Sequence, residues 1–219
     1  MNILDKFNQH IFCKNNIDRM KTYHHINLLR KENELLLTDN EAYTLCNLLR
    51  TVHNVEGHVL EIGCFKGAST KLMAITEQHK MIMAFDTFKG LPPISIKDDY
   101  MQFKYGEYFA DYKSVQSYLM PFQNLIVYKG IFPNSAPRIN SISFVHLDVD
   151  LYDGTLNSLE FIYPKMSSNG IILIHDYINS KGVREAVDNF FKDKKEHVIE
   201  ISDTYCMIIK GVDLRCLNG

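Results

Sequence analysis

The sequence has no surplus of basic residues, because 24 Lys and Arg are balanced by 26 Asp and Glu and the formal net charge is -2. Binding to the phosphates of nucleic acid normally requires a strong positive surplus. We therefore expect no nucleic-acid partner for this chain.

Long apolar runs are also missing. A membrane-spanning helix needs about 20 consecutive apolar residues, and no segment of the chain approaches this length. The first seven residues, from Met1 to Phe7, contain acidic and amide side chains where a signal peptide would have an apolar core. These absences predict no membrane partner and no export.

Paired cysteines are lacking as well. The five cysteines are an odd number and include no CxxC pair. This pattern favours reduced thiols in a cytoplasmic protein over a disulfide framework or a structural zinc site.

What is present is an alternation of apolar strand patterns and helical patterns. Strands are predicted at 58–62, 81–85, 125–128, 142–147 and 170–174, and helices at 69–78, 114–120, 151–163 and 183–191. Residues 197–201 and 205–209 are joined by only three residues and predict an antiparallel hairpin. Right-handed crossovers then give an α/β fold, with a Rossmann-like, doubly wound, mostly parallel sheet that ends in a C-terminal hairpin.

The chain ahead of the sheet divides near residue 40. Thr38 and Glu41 form a capping-box pattern that predicts the start of a helix. Residues 1–40 are interpreted as an N-terminal segment, with a lid, a dimer arm and a loosely ordered tail as open alternatives. Residues 41–219 are predicted to form the main domain.

A glycine turn follows the first strand. Gly63 and Gly67 do not form the GxGxxG pattern, which argues against a dinucleotide and its pyrophosphate. The small residues around Ser69 leave room for a carboxylate or amino group of a ligand at the helix start. Glu61 lies near the end of a buried strand and needs a partner, which is either a cationic group of a cofactor or a nearby amide.

Asp86 ends the second strand, at close to the spacing of about 20 residues at which an acidic side chain binds the two hydroxyls of a ribose. Two vicinal hydroxyls match two carboxylate oxygens. A ribose contact is therefore favoured over a surface aspartate that only ends a strand.

Acidic residues also follow the fourth and fifth strands. Asp148 and Asp150 share one face if the strand continues, because side chains alternate along a strand. His175 and Asp176 follow the adjacent strand. Carboxylates with an imidazole suit a divalent ion such as magnesium or manganese, whereas the alternative is that Asp148 and Asp176 only cap helices.

Several segments together resemble the macrocin and mycinamicin sugar O-methyltransferases. They are Leu60-Glu61-Ile62-Gly63 with Lys66-Gly67, Asp86-Thr87-Phe88-Lys89-Gly90-Leu91-Pro92, Lys129-Gly130-Ile131-Phe132-Pro133, Leu147-Asp148-Val149-Asp150-Leu151-Tyr152, and His175-Asp176-Tyr177 followed by Gly182-Val183. Their order and spacing match over about residues 40 to 211. The resemblance implies a class I S-adenosylmethionine-dependent methyltransferase fold, a divalent metal, usually Mg²⁺, and methylation of a hydroxyl on a sugar or other small metabolite.

By this resemblance, S-adenosylmethionine contacts Glu61, Gly63, Ser69 and Asp86. Asp148 and Asp176 hold the metal, with His175 as a third ligand at a position where family members commonly carry a further aspartate. Asp150 is the general base that deprotonates the acceptor hydroxyl, and His175 takes that role if the metal is absent.

The expected partner is a small hydroxyl-bearing acceptor, either glycosylated or not, and a homo-oligomer is left open. Aromatic residues between Ile94 and Tyr112 could stack on such an acceptor or cover the core instead. Two other functions remain open. Asp148-Val149-Asp150 is a DxD segment of the type that metal-dependent glycosyltransferases use, and a non-catalytic metabolite-binding relative would keep the same fold.

Overall fold

The computed structural model describes residues 16–201 and 203–211. The helices and strands follow one another in this order: α1 (Ile17–Glu32), α2 (Asp39–Thr51), β1 (His58–Ile62), α3 (Ala68–Thr76), β2 (Ile82–Asp86), α4 (Tyr112–Leu119), β3 (Leu125–Lys129), β4 (Ile142–Leu147), α5 (Tyr152–Ile162), a 3₁₀ turn (Tyr163–Lys165), β5 (Met166–Ile174), α6 (Lys181–Phe191), β6 (Ile199–Glu200) and β7 (Cys206–Ile209).

The seven strands form one sheet in the order β3-β2-β1-β4-β5-β7-β6. β1 to β5 are parallel to one another, whereas β7 pairs antiparallel with both β5 and β6. This confirms the doubly wound, mostly parallel sheet with its C-terminal hairpin. The strand order reverses between β1 and β4, and ligands of open α/β sheets bind beyond the carboxyl ends of the strands at this place.

Helices cover both faces of the sheet, and alternate residues of the central strands enter two different cores. In β1, Val59 packs in a core with residues of α1, α2 and α3, whereas Leu60 packs in a second core with residues of α5 and α6. All four residues from Val59 to Ile62 are buried. Burial on both faces explains why the central strands are continuous apolar runs.

The C-terminal hairpin is shorter than predicted. β6 contains only Ile199 and Glu200, both of them exposed. An edge strand pairs with a neighbouring strand on one side only. Neither burial of its side chains nor hydrogen bonds to a second strand stabilise further residues of β6 in the extended conformation.

The N-terminal segment contains α1, which buries Tyr23, Ile26 and Leu29 against the core that includes α2 and α3. The predicted capping box is present at the start of α2, where the Thr38 side chain accepts from the Glu41 amide. A role of this segment as a lid or dimer arm stays a prediction, and residues 1–15 lie outside the described part of the chain.

Cys46, Cys64 and Cys206 are free and buried. Burial raises the pKa of all three thiols, so they are protonated and unreactive at neutral pH. Cys13 and Cys216 lie outside the described residues. In the part of the chain that the structure describes, no helix has the length and apolar character to cross a membrane.

Candidate functional site

A cavity of about 430 Å³ opens at the carboxyl ends of the parallel strands. Its lining includes Gly63 after β1, Asp86 at the end of β2, Asp148 and Asp150 after β4, and Asp176 after β5. The volume lies within the range of about 300 to 1,000 Å³ that is typical of small-molecule sites. Together with His175, six of the site residues that the sequence singled out therefore lie around one space.

Gly63 lies where β1 approaches the residue after β4. Its φ of +94° falls in the left-handed region, and a Cβ at this position would lie 1.7 Å from the carbonyl oxygen of Asp148. Only glycine permits this approach. Gly63 is thus required by the packing of the two strand ends, in addition to any need for a ligand to approach the backbone.

Asp86 is held in place by the two loops that border the cavity. One carboxylate oxygen accepts from the Phe65 amide at 2.8 Å and the other from the Phe88 amide at 2.7 Å. Burial raises the pKa of Asp86, although both amides favour the charged form. Each oxygen retains a lone pair with which it could accept from a hydroxyl of a ligand.

Glu61 and Ser69 do not line this cavity, among the residues that the structure describes. Glu61 is fully buried, and its partners are an imidazole and a hydroxyl of the protein. The distance from its carboxylate to His146 Nδ1 is 3.0 Å, and Thr70 donates a short hydrogen bond to it. Ser69 is half-buried in the first turn of α3. Their contact with a cofactor stays a prediction.

Asp148, His175 and Asp176 form a cluster whose three ligand atoms lie within 4.8 Å of one another. His175 Nδ1 lies 3.3 Å from an oxygen of Asp148 and 3.0 Å from an oxygen of Asp176. Both ring nitrogens are buried, and neither makes a well-directed hydrogen bond. Neighbouring ligands of an octahedral ion with bonds of about 2.1 Å lie roughly 3 Å apart. The donor set and its spacing therefore fit a divalent cation.

The charges of the cluster are strongly coupled. Burial by itself would lower the pKa of His175, but the negative charges of Asp148, Asp176 and Glu41 raise it. Burial would raise the pKa of Asp148, but His175 lowers it. The carboxylates thus favour positive charge at this point, which either a protonated imidazole or a metal ion can provide.

Asp150 reaches the cavity in a way that the strand pattern did not predict. β4 ends at Leu147, so Asp148 and Asp150 do not alternate along a continuing strand. The chain turns instead, with Asp150 in the left-handed region at φ +63°. Burial raises the pKa of Asp150, and repulsion by Asp148 and Asp176 raises it further. A carboxyl group of this kind is more basic than an exposed one.

Neither Asp148 nor Asp176 caps a helix. The first amide of α5, that of Tyr152, donates to Asp98 at 2.7 Å, and the Val183 amide in α6 donates to Ser180. The alternative explanation of the two aspartates as helix caps is therefore wrong.

Asp98 was not predicted from the sequence, and it attaches the loop 87–111 to α5. It is buried, and its second oxygen accepts from the amide and the hydroxyl of Ser95. A Cβ on Gly182 would lie 2.0 Å from Asp98, so the start of α6 also packs closely against it. The loop that covers the cavity is therefore anchored at its centre.

Replacing Asp98 with alanine should lower the free energy of unfolding by about 1 to 3 kcal/mol, because the partly buried amide of Tyr152 loses its acceptor. Limited proteolysis should cut the loop 87–111 faster than in the parent protein. Asp99→Ala, which changes the exposed neighbour, is the control. Equal cleavage of both variants would show that Asp98 does not anchor the loop.

The aromatic residues of this loop divide between the two roles considered. Phe103 is buried and packs with Leu91 and Leu151, whereas Tyr105 is 74% exposed. Tyr108 lines the cavity and contacts the edge of Phe65, with ring centroids 6.0 Å apart. Phe103 and Tyr108 are thus the aromatic side chains of the predicted stacking region that reach the cavity.

The profile of the family described as Macrocin-O-methyltransferase (TylF) matches residues 44–209, more than half of the chain. The chain belongs to the macrocin O-methyltransferase family. The matched region extends from α2 to the end of β7 and includes every strand of the sheet, which confirms the resemblance found in the motifs.

Two curated relatives match part of this chain. It is 24% identical over 156 residues to a demethyldecarbamoylnovobiocin O-methyltransferase of Streptomyces niveus, covering 63% of this chain and 59% of the relative. It is 24% identical over 169 residues to an 8-demethyl-8-(2,3-dimethoxy-alpha-L-rhamnosyl)-tetracenomycin-C 4'-O-methyltransferase of Streptomyces olivaceus, covering 69% and 64%. The chain thus spans about three fifths of the length of the curated relatives it matches.

Among solved structures, the O-methyltransferase NovP superposes with a TM-score of 0.68 at 18% identity, covering 80% of this chain and 82% of that one. At this identity the likeness concerns the fold. It confirms the class I methyltransferase fold for this family member.

Proposed function

We propose that the chain is an S-adenosylmethionine-dependent O-methyltransferase that acts on a hydroxyl of a small molecule, with a sugar moiety as the favoured acceptor. One observation carries this proposal: Asp86 and the cluster of Asp148, His175 and Asp176 line the same cavity. An aspartate suited to bind ribose hydroxyls and a cluster suited to bind a cation would thus act on ligands in the same space. Family membership supports the same activity.

In this proposal Asp86 binds the ribose hydroxyls of the cofactor, and the turn at Gly63 lets the cofactor approach the backbone. The two amides that bond to Asp86 keep its carboxylate oriented without a ligand, so little conformational entropy is lost on binding. Glu61 and Ser69 are retained as cofactor contacts on the family resemblance only.

Asp148, His175 and Asp176 would hold the divalent ion, Mg²⁺ or another. Such an ion lowers the pKa of a hydroxyl that it binds. Asp150 lies beside this cluster on the cavity wall and accepts the proton of the acceptor hydroxyl. The apolar side chains of Leu91, Phe103 and Leu151 keep water away from the reacting groups.

The name of one curated relative supports a sugar-bearing acceptor, since it contains a rhamnosyl group. Phe103 and Tyr108 offer aromatic surface to such an acceptor in the cavity. With a rhamnosylated polyketide as acceptor, the chain should convert S-adenosylmethionine to S-adenosylhomocysteine. With the aglycone of the same polyketide, it should not. Absence of this conversion with both compounds would reject the sugar assignment.

Calorimetry with S-adenosylhomocysteine and with UDP tests the reaction class. We expect binding of S-adenosylhomocysteine and no binding of UDP. The opposite result would favour a glycosyltransferase that uses the Asp148-Val149-Asp150 segment. Binding of S-adenosylhomocysteine without methyl transfer to any glycosylated acceptor would favour a non-catalytic relative.

Asp86→Ala should weaken the binding of S-adenosylhomocysteine by about 10- to 100-fold, because hydrogen bonds to a charged group contribute about 1.5 to 3 kcal/mol. Titration calorimetry measures this change. Asp153→Ala, which removes an exposed aspartate in α5, is the matched control. Equal affinities of the two variants would reject the ribose assignment.

The segment after α1 supports a role of the N-terminal residues next to the cofactor. The Asn33 side chain donates to the carbonyl of Lys66 in the glycine turn at 2.8 Å, and Leu36 lines the cavity. This is the contact expected of a lid or arm. The homo-oligomer and the cytoplasmic location stay predictions, and light scattering of the purified chain would test the first of them.

A further inference from the structure

Glu41 is a buried carboxylate that no step of the proposed reaction uses. It is 2% exposed. One oxygen accepts from the Thr38 amide at 2.8 Å and closes the capping box of α2. The other accepts from the Thr204 hydroxyl at 2.6 Å and lies 3.3 Å from His175 Nε2. Glu41 therefore joins the start of α2 to the cation cluster.

The position of Glu41 is fixed from two sides. The capping box holds it from α2, and Thr204 holds it from the turn between β6 and β7. Thr38 also donates to Asp203 of the same turn at 2.6 Å. A carboxylate held in this way orients its neighbours because its own movement is restricted.

The two ring nitrogens of His175 face different carboxylates. Nδ1 faces the oxygens of Asp148 and Asp176, and Nε2 faces Glu41. The edge of the ring packs against Tyr205, with centroids 5.1 Å apart. An imidazole that binds a metal through one nitrogen normally presents its other N–H to a carboxylate or carbonyl, which sets the tautomer. Glu41 occupies the position of that second partner.

We infer that Glu41 keeps His175 in the orientation that binds a metal through Nδ1. The pair of Glu41 and His175 makes the site prefer borderline divalent ions over Mg²⁺. Co²⁺ is the probe for such an ion. The inference rests on the proposed metal site and specifies which ion it selects. The physical reason is the donor set: Mg²⁺ favours oxygen ligands, whereas a neutral imidazole favours later transition ions.

Metal affinities of the parent chain and two variants test the inference. Calorimetry should show that the parent binds Co²⁺ more tightly than Mg²⁺, and the visible absorption of bound Co²⁺ gives a second readout. Glu41→Gln should weaken Co²⁺ binding by about 10- to 100-fold, because glutamine also serves in a capping box but lacks the charge. His175→Asp should shift the preference toward Mg²⁺.

The control is Glu77→Gln, which changes another buried carboxylate, one that contacts His53 instead of His175. The melting temperature of Glu41→Gln should match that of this control, so that a loss of Co²⁺ affinity is not a loss of folding. Unchanged Co²⁺ affinity in Glu41→Gln would overturn the role of Glu41. Equal affinity of the parent for Mg²⁺ and Co²⁺ would overturn the selectivity.

Binding of S-adenosylhomocysteine separates this inference from the proposed function. If all variants bind it while the metal preferences fail, only the inference is lost. If the parent binds neither metal, the inference and the metal part of the proposed function are both wrong. If the parent fails to bind S-adenosylhomocysteine, the methyltransferase proposal itself is rejected.

Discussion

Replacing Asp148 with alanine should lower metal-dependent turnover by at least about 10³-fold, since a metal ion supplies several kcal/mol of charge stabilisation and 1.36 kcal/mol corresponds to tenfold in rate. Asp148 provides one of the three clustered ligand atoms. Its removal leaves only His175 and Asp176. Methyl transfer with and without added Mg²⁺ or Mn²⁺ measures the effect.

Cofactor affinity is the internal check on this result. Asp86, which is expected to bind the ribose, keeps both of its amide donors in the Asp148→Ala variant. Affinity for S-adenosylhomocysteine should therefore change by less than about threefold. Asp153→Ala should retain full turnover as the matched control. Full activity of Asp148→Ala would remove the metal from the proposed mechanism.

The second large effect is expected on stability, from substitution of His146, whose side chain lies in the core behind the site. His146 is fully buried between Glu61 and the hydroxyl of Tyr205, at 3.0 and 2.9 Å. Burial raises the pKa of Tyr205, so its hydroxyl keeps the proton. Nε2 of His146 faces this hydroxyl, and Nδ1 faces Glu61. Glu61, His146 and Tyr205 thus all have a hydrogen-bond partner in the core.

His146→Leu should lower the free energy of unfolding by about 3 to 5 kcal/mol, because removal of one partner leaves the buried Glu61 carboxylate without its imidazole. Urea unfolding measures this change as a shift of the midpoint at constant slope.

Two further variants test whether the loss comes from the unpaired charge. His24→Leu, on the exposed side of α1, should change stability by no more than about 0.5 kcal/mol. Combining Glu61→Leu with His146→Leu should recover part of the loss, since the double variant removes both partners of this pair. A stability of His146→Leu within about 1 kcal/mol of the parent would contradict a stabilising role of the network.

The central strands could be predicted because their pattern depends on burial alone. β1 and β4 have the predicted bounds, since a run that is apolar on every residue fits a strand that is covered on both faces. β6 was predicted too long because its residues are exposed. Exposed edge residues carry little information about where a strand ends.

Some features of the site could be predicted from the sequence and others could not. Asp86, Asp148 and Asp176 could be placed around one space because the carboxyl ends of parallel strands meet at one edge of the sheet. No sequence signal placed Glu41 next to His175 or His146 next to Glu61. Glu41 was recognised only as part of a helix cap. These contacts join segments that are far apart in the chain.

The sequence by itself determined the order of helices and strands, the family, and the acidic side chains at the strand ends. These features follow from local apolar patterns and from motifs at fixed spacing. Only the tertiary structure decided which partners the buried polar groups have: Asp98 for α5, His146 for Glu61, and Glu41 for His175. The physical reason is that burial requires each polar group to find a partner, but the chain path decides which segment supplies it.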